Sequence, residues 1–301
     1  MIELKNEKIA IPVVLIAGLL WSFGPLVVRH MDQPGLVPWQ YIFARGLTIF
    51  TLLNLYLFFE EGKNFYKNYL KAGISGLIGG CGLGIAMVTF IYSITNTTAA
   101  VTLLCLAAMP FFTALLGFLF LKEKISINVW IAIFIATIGI IIIAFGNTED
   151  NSLMGLIFGM TSSIGFSVFS VTLRWRKETP KFTTVAIAGL FCVIVAAVFI
   201  LTNKSSFFST SYNGMLFSLH GTIVCMGLIL YSIGSKAIPA AELTLLSLTE
   251  VIGGIFWVWL PLFGINEIPS TNTIIGGFFL FMSIIYYSLT IKTNRRFIAL
   301  N

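Results

Sequence analysis

The chain is poor in charged side chains and in groups suited to chemistry. Among its 301 residues only 10% are charged, with 12 acidic residues and two histidines. Soluble domains carry about 25% charged residues, so a soluble globular protein is excluded. The four cysteines lie in apolar stretches without a CxxC pair, which excludes a disulfide framework and a zinc site. We therefore predict neither a metal nor a cofactor.

Motifs of enzymes, pumps and channels are also missing from the sequence. It contains no P-loop, no HExxH, no GxSxG and no potassium-filter sequence. The net charge of +6 comes from basic residues spread through short gaps, whereas nucleic-acid binding needs them clustered on one face. These absences predict a protein that is not an enzyme and has no nucleic-acid partner. A membrane-embedded enzyme or lipid-handling protein is disfavoured by the same absences.

Apolar residues dominate the chain, at 57% of the total, and the mean hydropathy is +0.96. A bilayer core of about 30 Å needs roughly 20 apolar residues per helix. Lys5 and Lys8 precede the first apolar run, and no small-residue cleavage site follows it, so we expect an uncleaved first helix. Ten runs satisfy this length: Ile9–Val28, Trp39–Phe59, Tyr69–Ser93, Thr97–Leu121, Ile127–Phe145, Leu153–Leu173, Phe182–Thr202, Asn213–Ser235, Ala241–Phe263 and Asn272–Ile291.

The basic residues indicate how these spans are oriented. With the N-terminus in the cytoplasm, only Arg29 and Lys204 among the 18 basic residues fall outside, and Arg45 lies within a span. The remaining fifteen fall on the cytoplasmic side, as the positive-inside rule requires. An odd number of spans would destroy this alternation. We therefore predict a multi-pass protein of the inner (plasma) membrane with both termini cytoplasmic.

The two halves of the chain resemble each other. Trp21-Ser22-Phe23 is followed by Arg29 over the same distance that separates Phe166-Ser167-Val168 from Arg174. Tyr92-Ser93-Ile94 and Tyr231-Ser232-Ile233 each precede two alanines and a run of leucines. Five spans per repeat is an odd number, so the second repeat must be inverted relative to the first.

Inverted repeats are a common transporter architecture, with the substrate site near the membrane midplane between the halves. The predicted fold class is all-α integral membrane, with ten transmembrane helices as two inverted five-helix repeats around a central cavity. We assign residues 1–146 to the first repeat and residues 147–301 to the second, with Gly146-Asn147 as turn formers between them.

Several motifs give the chain a family resemblance. They are Leu20-Trp21-Ser22, Arg45, Thr98-Ala99-Ala100, Met109-Pro110, Lys122-Glu123, Ala240-Ala241-Glu242, Leu248-Thr249-Glu250, Trp257-Val258-Trp259, Asn266-Glu267-Ile268-Pro269-Ser270 and Ile275-Gly276-Gly277. With them the chain resembles the ten-helix EamA-type branch of the drug/metabolite transporter superfamily. That resemblance implies transport of small organic solutes. The second repeat departs from it by having Glu250-Val251 where the first has Met109-Pro110.

Glu250 is the foremost candidate for substrate binding. It lies about nine residues into its span, roughly 13 Å deep at 1.5 Å per residue, and no other acid lies near the middle of a span. A carboxylate at that depth is costly and is by default a functional candidate. Helical spacing places Ser247 and Trp257 on its face, where the indole ring could hold a cation. The alternative is a structural pair with an arginine on a neighbouring helix.

Arg45 is the natural partner to consider. As a site residue it would bind a carboxylate through two parallel hydrogen bonds. As a structural residue it would form a packing bridge or extend toward the membrane surface. Further substrate-binding candidates are the wall residues Trp21 and Tyr92, the repeat-matched Ser22 and Ser167, Met109 opposite Glu250, and His220 as a proton carrier. The boundary residues Glu123 and Glu267 are expected to be solvated.

Together these features predict a secondary-active transporter of small organic metabolites that works by alternating access. The expected substrates are amino-acid-like or amine solutes. The alternatives are a passive channel or facilitator and an exporter of drug-like cations. The expected partners are the substrate, the lipid bilayer and a coupling proton, and the protein is expected to be a monomer or a homodimer.

Overall fold

The structure is a computed structural model that describes residues 6–123, 125–146, 153–176, 178–265, 267–268 and 270–298. These residues form helices joined by short connections, and no strand occurs among them. The expected repeat boundary at 146/147 adjoins residues 147–152, which lie outside the described residues. The helices are α1 (Glu7–Trp21), α2 (Phe23–Arg29), α3 (Pro38–Glu61), α4 (Lys67–Asn96), α5 (Ala99–Leu106), α6 (Met109–Leu116), α7 (Ile127–Gly146), α8 (Leu153–Trp175), α9 (Lys181–Thr202), α10 (Ser211–Gly234), α11 (Ala240–Leu246), α12 (Thr249–Trp259) and α13 (Thr271–Ile298).

Seven described stretches are long and apolar enough to cross a membrane, and the longest of them, Pro38–Asn96, runs through both α3 and α4. Two shorter apolar stretches lie in α7 and α13. Large apolar side chains such as Phe118, Phe134 and Leu201 are exposed on the outer faces of these helices. A soluble protein rarely exposes so much apolar surface, whereas a lipid-facing surface is apolar throughout. The prediction of an all-helical membrane protein is confirmed.

Helices of the two halves of the chain pack directly against one another. α4 packs chiefly against α8 and α9, α3 packs against α9, and α7 packs against α13. Glycines allow the α4 and α8 backbones to approach closely: a Cβ added at Gly165 would lie 2.6 Å from the carbonyl oxygen of Gly82. Small residues at helix contacts are typical of membrane proteins, where packing replaces the hydrophobic driving force.

Three predicted spans are broken near their middles, although the apolar runs suggested single helices. The breaks fall at Ser22 between α1 and α2, at Ala107-Ala108 between α5 and α6, and at Ser247-Leu248 between α11 and α12. Pro110 follows the second break and lacks the N–H that a continuous helix would need. At the third break the amide of Glu250 bonds to Ser247 O at 2.9 Å, three residues back, which is the tighter pattern that ends one helix and starts another.

Candidate functional site

A cavity lies where the broken helices meet the rest of the bundle. Its polar lining comes from Arg45 of α3, Ser162 of α8, His220 of α10 and Glu250 of α12. Most of the remaining lining is aliphatic, aromatic or thioether, and it includes Trp21 at the end of α1. Both halves of the chain contribute. A mostly apolar cavity with a few converging polar groups is the usual form of a small-molecule site.

Glu250 enters this cavity because the helix is broken just before it. It stands in the first turn of α12, is 9% exposed, and lines the cavity. The dipole of α12 favours a carboxylate in this first turn. No ion pair links Glu250 to a described residue. The structural pair with Arg45 that the sequence left open is therefore not formed within 4.0 Å.

Arg45 faces the same cavity, and not all of its N–H donors are hydrogen-bonded. It is 3% exposed, its Nη2 donates to Met87 O at 2.9 Å, and its Cζ lies 5.7 Å from the centre of the Tyr41 ring. The Nε donor has no hydrogen-bond partner among the described residues. A guanidinium has five N–H donors, and at least the Nε donor remains available to a ligand. The cavity thus holds one fixed cation and one carboxylate that do not neutralise each other directly.

His220 is held in place by Tyr41. The Tyr41 hydroxyl and the His220 Nδ1 form a buried hydrogen bond, and the Tyr41 ring stacks on Phe217 with centroids 5.0 Å apart. On the opposite edge, a Cβ added at Gly24 would lie 3.1 Å from His220 Nε2. Because Gly24 has no side chain, Nε2 of His220 can lie close to the backbone of α2. His220 is oriented on both edges and lines the cavity.

Trp21 forms an aromatic wall together with Phe166 and Tyr231. Its ring lies 5.5 Å from Phe166, edge to face, and 5.4 Å from Tyr231. The indole Nε1 donates to Val224 O at 3.3 Å, which fixes the ring orientation. Gly227 is the place where the indole contacts α10, because an added Cβ there would collide with Nε1.

Five of the ten sequence-predicted site residues line the cavity: Trp21, Arg45, Met109, His220 and Glu250. The other five, Ser22, Tyr92, Ser167, Ser247 and Trp257, lie outside its lining. Met109 stands at the first position of α6, the place that matches Glu250 in the other repeat, and is 2% exposed.

The residues outside the lining have partners of their own. Trp257 Nε1 donates to Ser22 Oγ at 2.8 Å, and the Trp257 ring stacks on Phe23. Ser247 donates back to Thr244 O at 2.8 Å. Ser167 donates to Ser163 O at 2.8 Å and to Met109 O at 3.2 Å. Tyr92 packs between Trp39 and Phe158.

Sequence reasoning missed several lining residues, among them Met87, Phe90, Ser162 and Phe166. Phe166 carried a usable signal, since it matches Trp21 in the internal repeat. Met87, Phe90 and Ser162 carried none, because apolar residues and serines in α4 and α8 look alike until the helices are packed.

The prediction that Glu123 and Glu267 are solvated is wrong. Arg174 Nε donates to Glu123 Oε1 at 2.6 Å, and Arg29 Nε forms an ion pair with Glu267. Each carboxylate is brought to its arginine from a distant part of the chain, which is why sequence position at a span boundary suggested solvent instead. Asn266 and Pro269 of the same motif lie outside the described residues.

Comparison with known proteins defines the class of molecule. Residues 8–145 match the EamA-like transporter family. Two Helicobacter pylori proteins, of strains J99 and 26695 and each named an uncharacterized transporter, are 28% and 27% identical over 173 residues. The aligned segment covers 56% of this chain and 56% of each relative, so it spans about half their length. The Bacillus subtilis protein named uncharacterized transporter YdfC is 25% identical over 230 residues, 72% of both chains.

A solved crystal structure supports the fold over nearly the whole chain. It superposes with a TM-score of 0.73 at 17% identity and covers 96% of this chain and 99% of that one. The match agrees with the resemblance inferred from the motifs: residues 8–145 are similar to EamA-like transporters. The matched proteins point to a transporter and not to an enzyme.

Proposed function

We propose that the protein is a secondary-active transporter of small zwitterionic, amino-acid-like solutes. The observation that carries the proposal is that the Arg45 guanidinium and the Glu250 carboxyl group line one cavity without an ion pair between them. Holding two buried charges apart is costly unless something else compensates them. A zwitterion supplies both compensating charges at once, with its carboxylate toward Arg45 and its ammonium toward Glu250.

The apolar lining suits the remainder of such a solute. Trp21, Phe166 and Met109 form walls against which a side chain of the substrate can pack. Trp257 and Ser22 support this wall from behind, since their hydrogen bond connects α12 to the break between α1 and α2. Ser167 performs the matching role by bonding to the backbone at Met109. Ser247 and Tyr92 shape the helices around the site.

Transport by alternating access requires two halves that move against each other. In this proposal ten membrane-spanning helices form two inverted five-helix repeats, and the cavity lies between them. The matched breaks before Met109 and before Glu250 support it, because broken helices at the repeat interface are typical of transporter sites. Glu250 and His220 are the side chains of the lining that a coupling proton would use.

Substrate class is tested by binding and counterflow in proteoliposomes. Three radiolabelled probes share one apolar side chain: a neutral α-amino acid, its decarboxylated amine and its deaminated acid. The proposal expects the amino acid to exchange best and in a saturable manner. Preference for the amine would instead favour an exporter of organic cations, and linear flux that does not saturate would favour a channel.

The orientation is part of the same proposal, with both termini in the cytoplasm of a bacterial-type inner membrane. A single cysteine introduced at Asn6, in a chain without native cysteines, should resist an impermeant thiol reagent in intact cells and react in inside-out vesicles. The reverse pattern would contradict this orientation. The other informative positions, Thr148 and Lys177, lie outside the described residues.

A further inference from the structure

Two ion pairs outside the cavity are built in the same way. In the Arg29 pair, the last residue of α2 binds Glu267, which lies four residues before the start of α13. In the Arg174 pair, a residue at the end of α8 binds Glu123, which lies four residues before the start of α7. The side chains are similarly half-buried, at 22% and 37% exposed in the Arg29 pair and 27% and 22% in the Arg174 pair.

Each arginine also donates hydrogen bonds to backbone carbonyl groups at the end of a third helix. Arg29 Nη1 donates to Ile94 O near the end of α4, at 3.4 Å. Arg174 Nη1 donates to Ser235 O at 3.0 Å and to Ile238 O at 2.8 Å, just after α10 ends. α4 and α10 carry the matching motifs Tyr92-Ser93-Ile94 and Tyr231-Ser232-Ile233. The two assemblies are therefore related by the internal repeat.

The two ion pairs lie at opposite ends of the bundle. α10 begins beside the Arg29 pair, where Asn213 exchanges hydrogen bonds of 2.9 and 3.1 Å with the backbone of Asp32. It ends beside the Arg174 pair, at Ser235. Its 24 residues span about 36 Å, the thickness of a membrane core with its margins.

Both pairs join one half of the chain to the other. Arg29 belongs to the first half and Glu267 to the second, whereas Arg174 belongs to the second half and Glu123 to the first. Each arginine follows a cavity-lining aromatic residue, Trp21 or Phe166, by eight residues, or roughly 12 Å of helix.

We propose that the Arg29 and Arg174 pairs are two symmetry-related gates, one for each side of the membrane. The inference rests on the proposed alternating access, in which the two halves part on one face at a time. Opening one face breaks its own pair and leaves the other intact. Both pairs are formed in this structure, which in this proposal corresponds to both gates being shut.

The test uses thiol labelling of the cavity, which needs no knowledge of the substrate. The four native cysteines are replaced by alanine, and Ser162→Cys provides one thiol in the lining. Glu267→Gln and Glu123→Gln each remove one carboxylate charge. Labelling by an impermeant reagent is then followed in intact cells and in inside-out vesicles. Glu178→Gln, at an exposed position, is the matched control.

Each variant should accelerate labelling from one face only, and the two variants from opposite faces. The expected increase is about fivefold, the upper range for an ion pair with partial solvent access. The charge-reversed double variants R29E/E267R and R174E/E123R should move the rates back toward the parent. If a glutamine variant fails to purify as a monodisperse protein, the corresponding double variant decides: it must label at nearly the parent rate.

The gate proposal is contradicted by any of three results. These are equal labelling from both faces, acceleration from the same face in both variants, and no change in the labelling rate. Such a result together with normal counterflow would leave the transporter proposal standing. Face-specific labelling without exchange of any of the three probes would support the gates and reject the substrate class.

Discussion

The helix breaks before Met109 and before Glu250 have the same backbone geometry, but the side chains that follow them differ in chemistry. In both, a short half-helix ends, two residues with right-handed dihedral angles follow, and a new helix begins at the cavity. The first repeat places a thioether and a proline in the new first turn, and the second places a carboxylate there. One wall of the cavity is thus apolar and the other is charged.

In the proposed repeat architecture, this difference gives the site a polar axis. Two identical halves would present a ligand with the same group from both sides. Here only one half-helix start carries charge, and Arg45 of α3 is buried at the same cavity. A ligand with distinct ends can then bind in one orientation. The following predictions test this asymmetry, beginning with the largest expected effect.

Replacing Glu250 with glutamine keeps the side-chain shape and removes its charge. Affinity for the neutral α-amino acid should fall at least about tenfold, because hydrogen bonds to charged groups contribute about 1.5–3 kcal/mol. Thermal stability should change little, since no described ion pair is lost. Binding to the purified protein measures the first effect and a melting curve the second. Glu178→Gln serves as the exposed control, and an unchanged affinity would contradict the assignment.

The Trp21 wall depends on Gly227, whose matching position in the first repeat is Val88. Gly227→Ala should destabilise the protein by about 1–3 kcal/mol, as overpacking in a filled interior does. Gly214→Ala on the same helix is the matched control, because a Cβ there meets nothing within 4 Å. Melting curves in detergent compare the two. Equal curves would mean that the indole ring can move away from α10.

The two repeat-matched serines should differ in importance. Ser22→Ala leaves the Trp257 N–H without its partner, so a loss of about 1–2 kcal/mol is expected. Ser167→Ala removes only a donor to two carbonyl groups and should cost less. Melting temperatures of both variants, measured side by side, provide the comparison. A larger effect at Ser167 would reverse the inferred roles.

Met109→Leu is expected to have the smallest effect. Volume-conserving apolar replacements usually cost less than about 1.5 kcal/mol, and no charge or hydrogen bond of the Met109 side chain is removed. Affinity for the amino acid should stay close to that of the parent. Glu250→Leu, which introduces the same leucine at the matching position, should abolish binding. Equal affinities in these two variants would remove the asymmetry on which the substrate class depends.

Much of the architecture could be inferred from the chain itself, for a physical reason. A bilayer leaves backbone groups without water, so long apolar runs must form helices, and composition alone predicts them. Matching of Trp21 with Phe166 and of Tyr92 with Tyr231 predicts an internal repeat without coordinates. Glu250 was recognisable as unusual because a charge deep in an apolar run is rarely without a role.

Only the tertiary structure decided which side chains share a space. A 3.6-residue period gives the face of a helix but not its neighbour, so Trp257 was expected in the cavity and instead bonds to Ser22. The breaks that bring Met109 and Glu250 to helix starts depend on packing around the chain. Glu123 and Glu267 looked solvated because their arginines lie 51 and 238 residues away. Local sequence determines helices, while contacts between distant helices determine where charges are held.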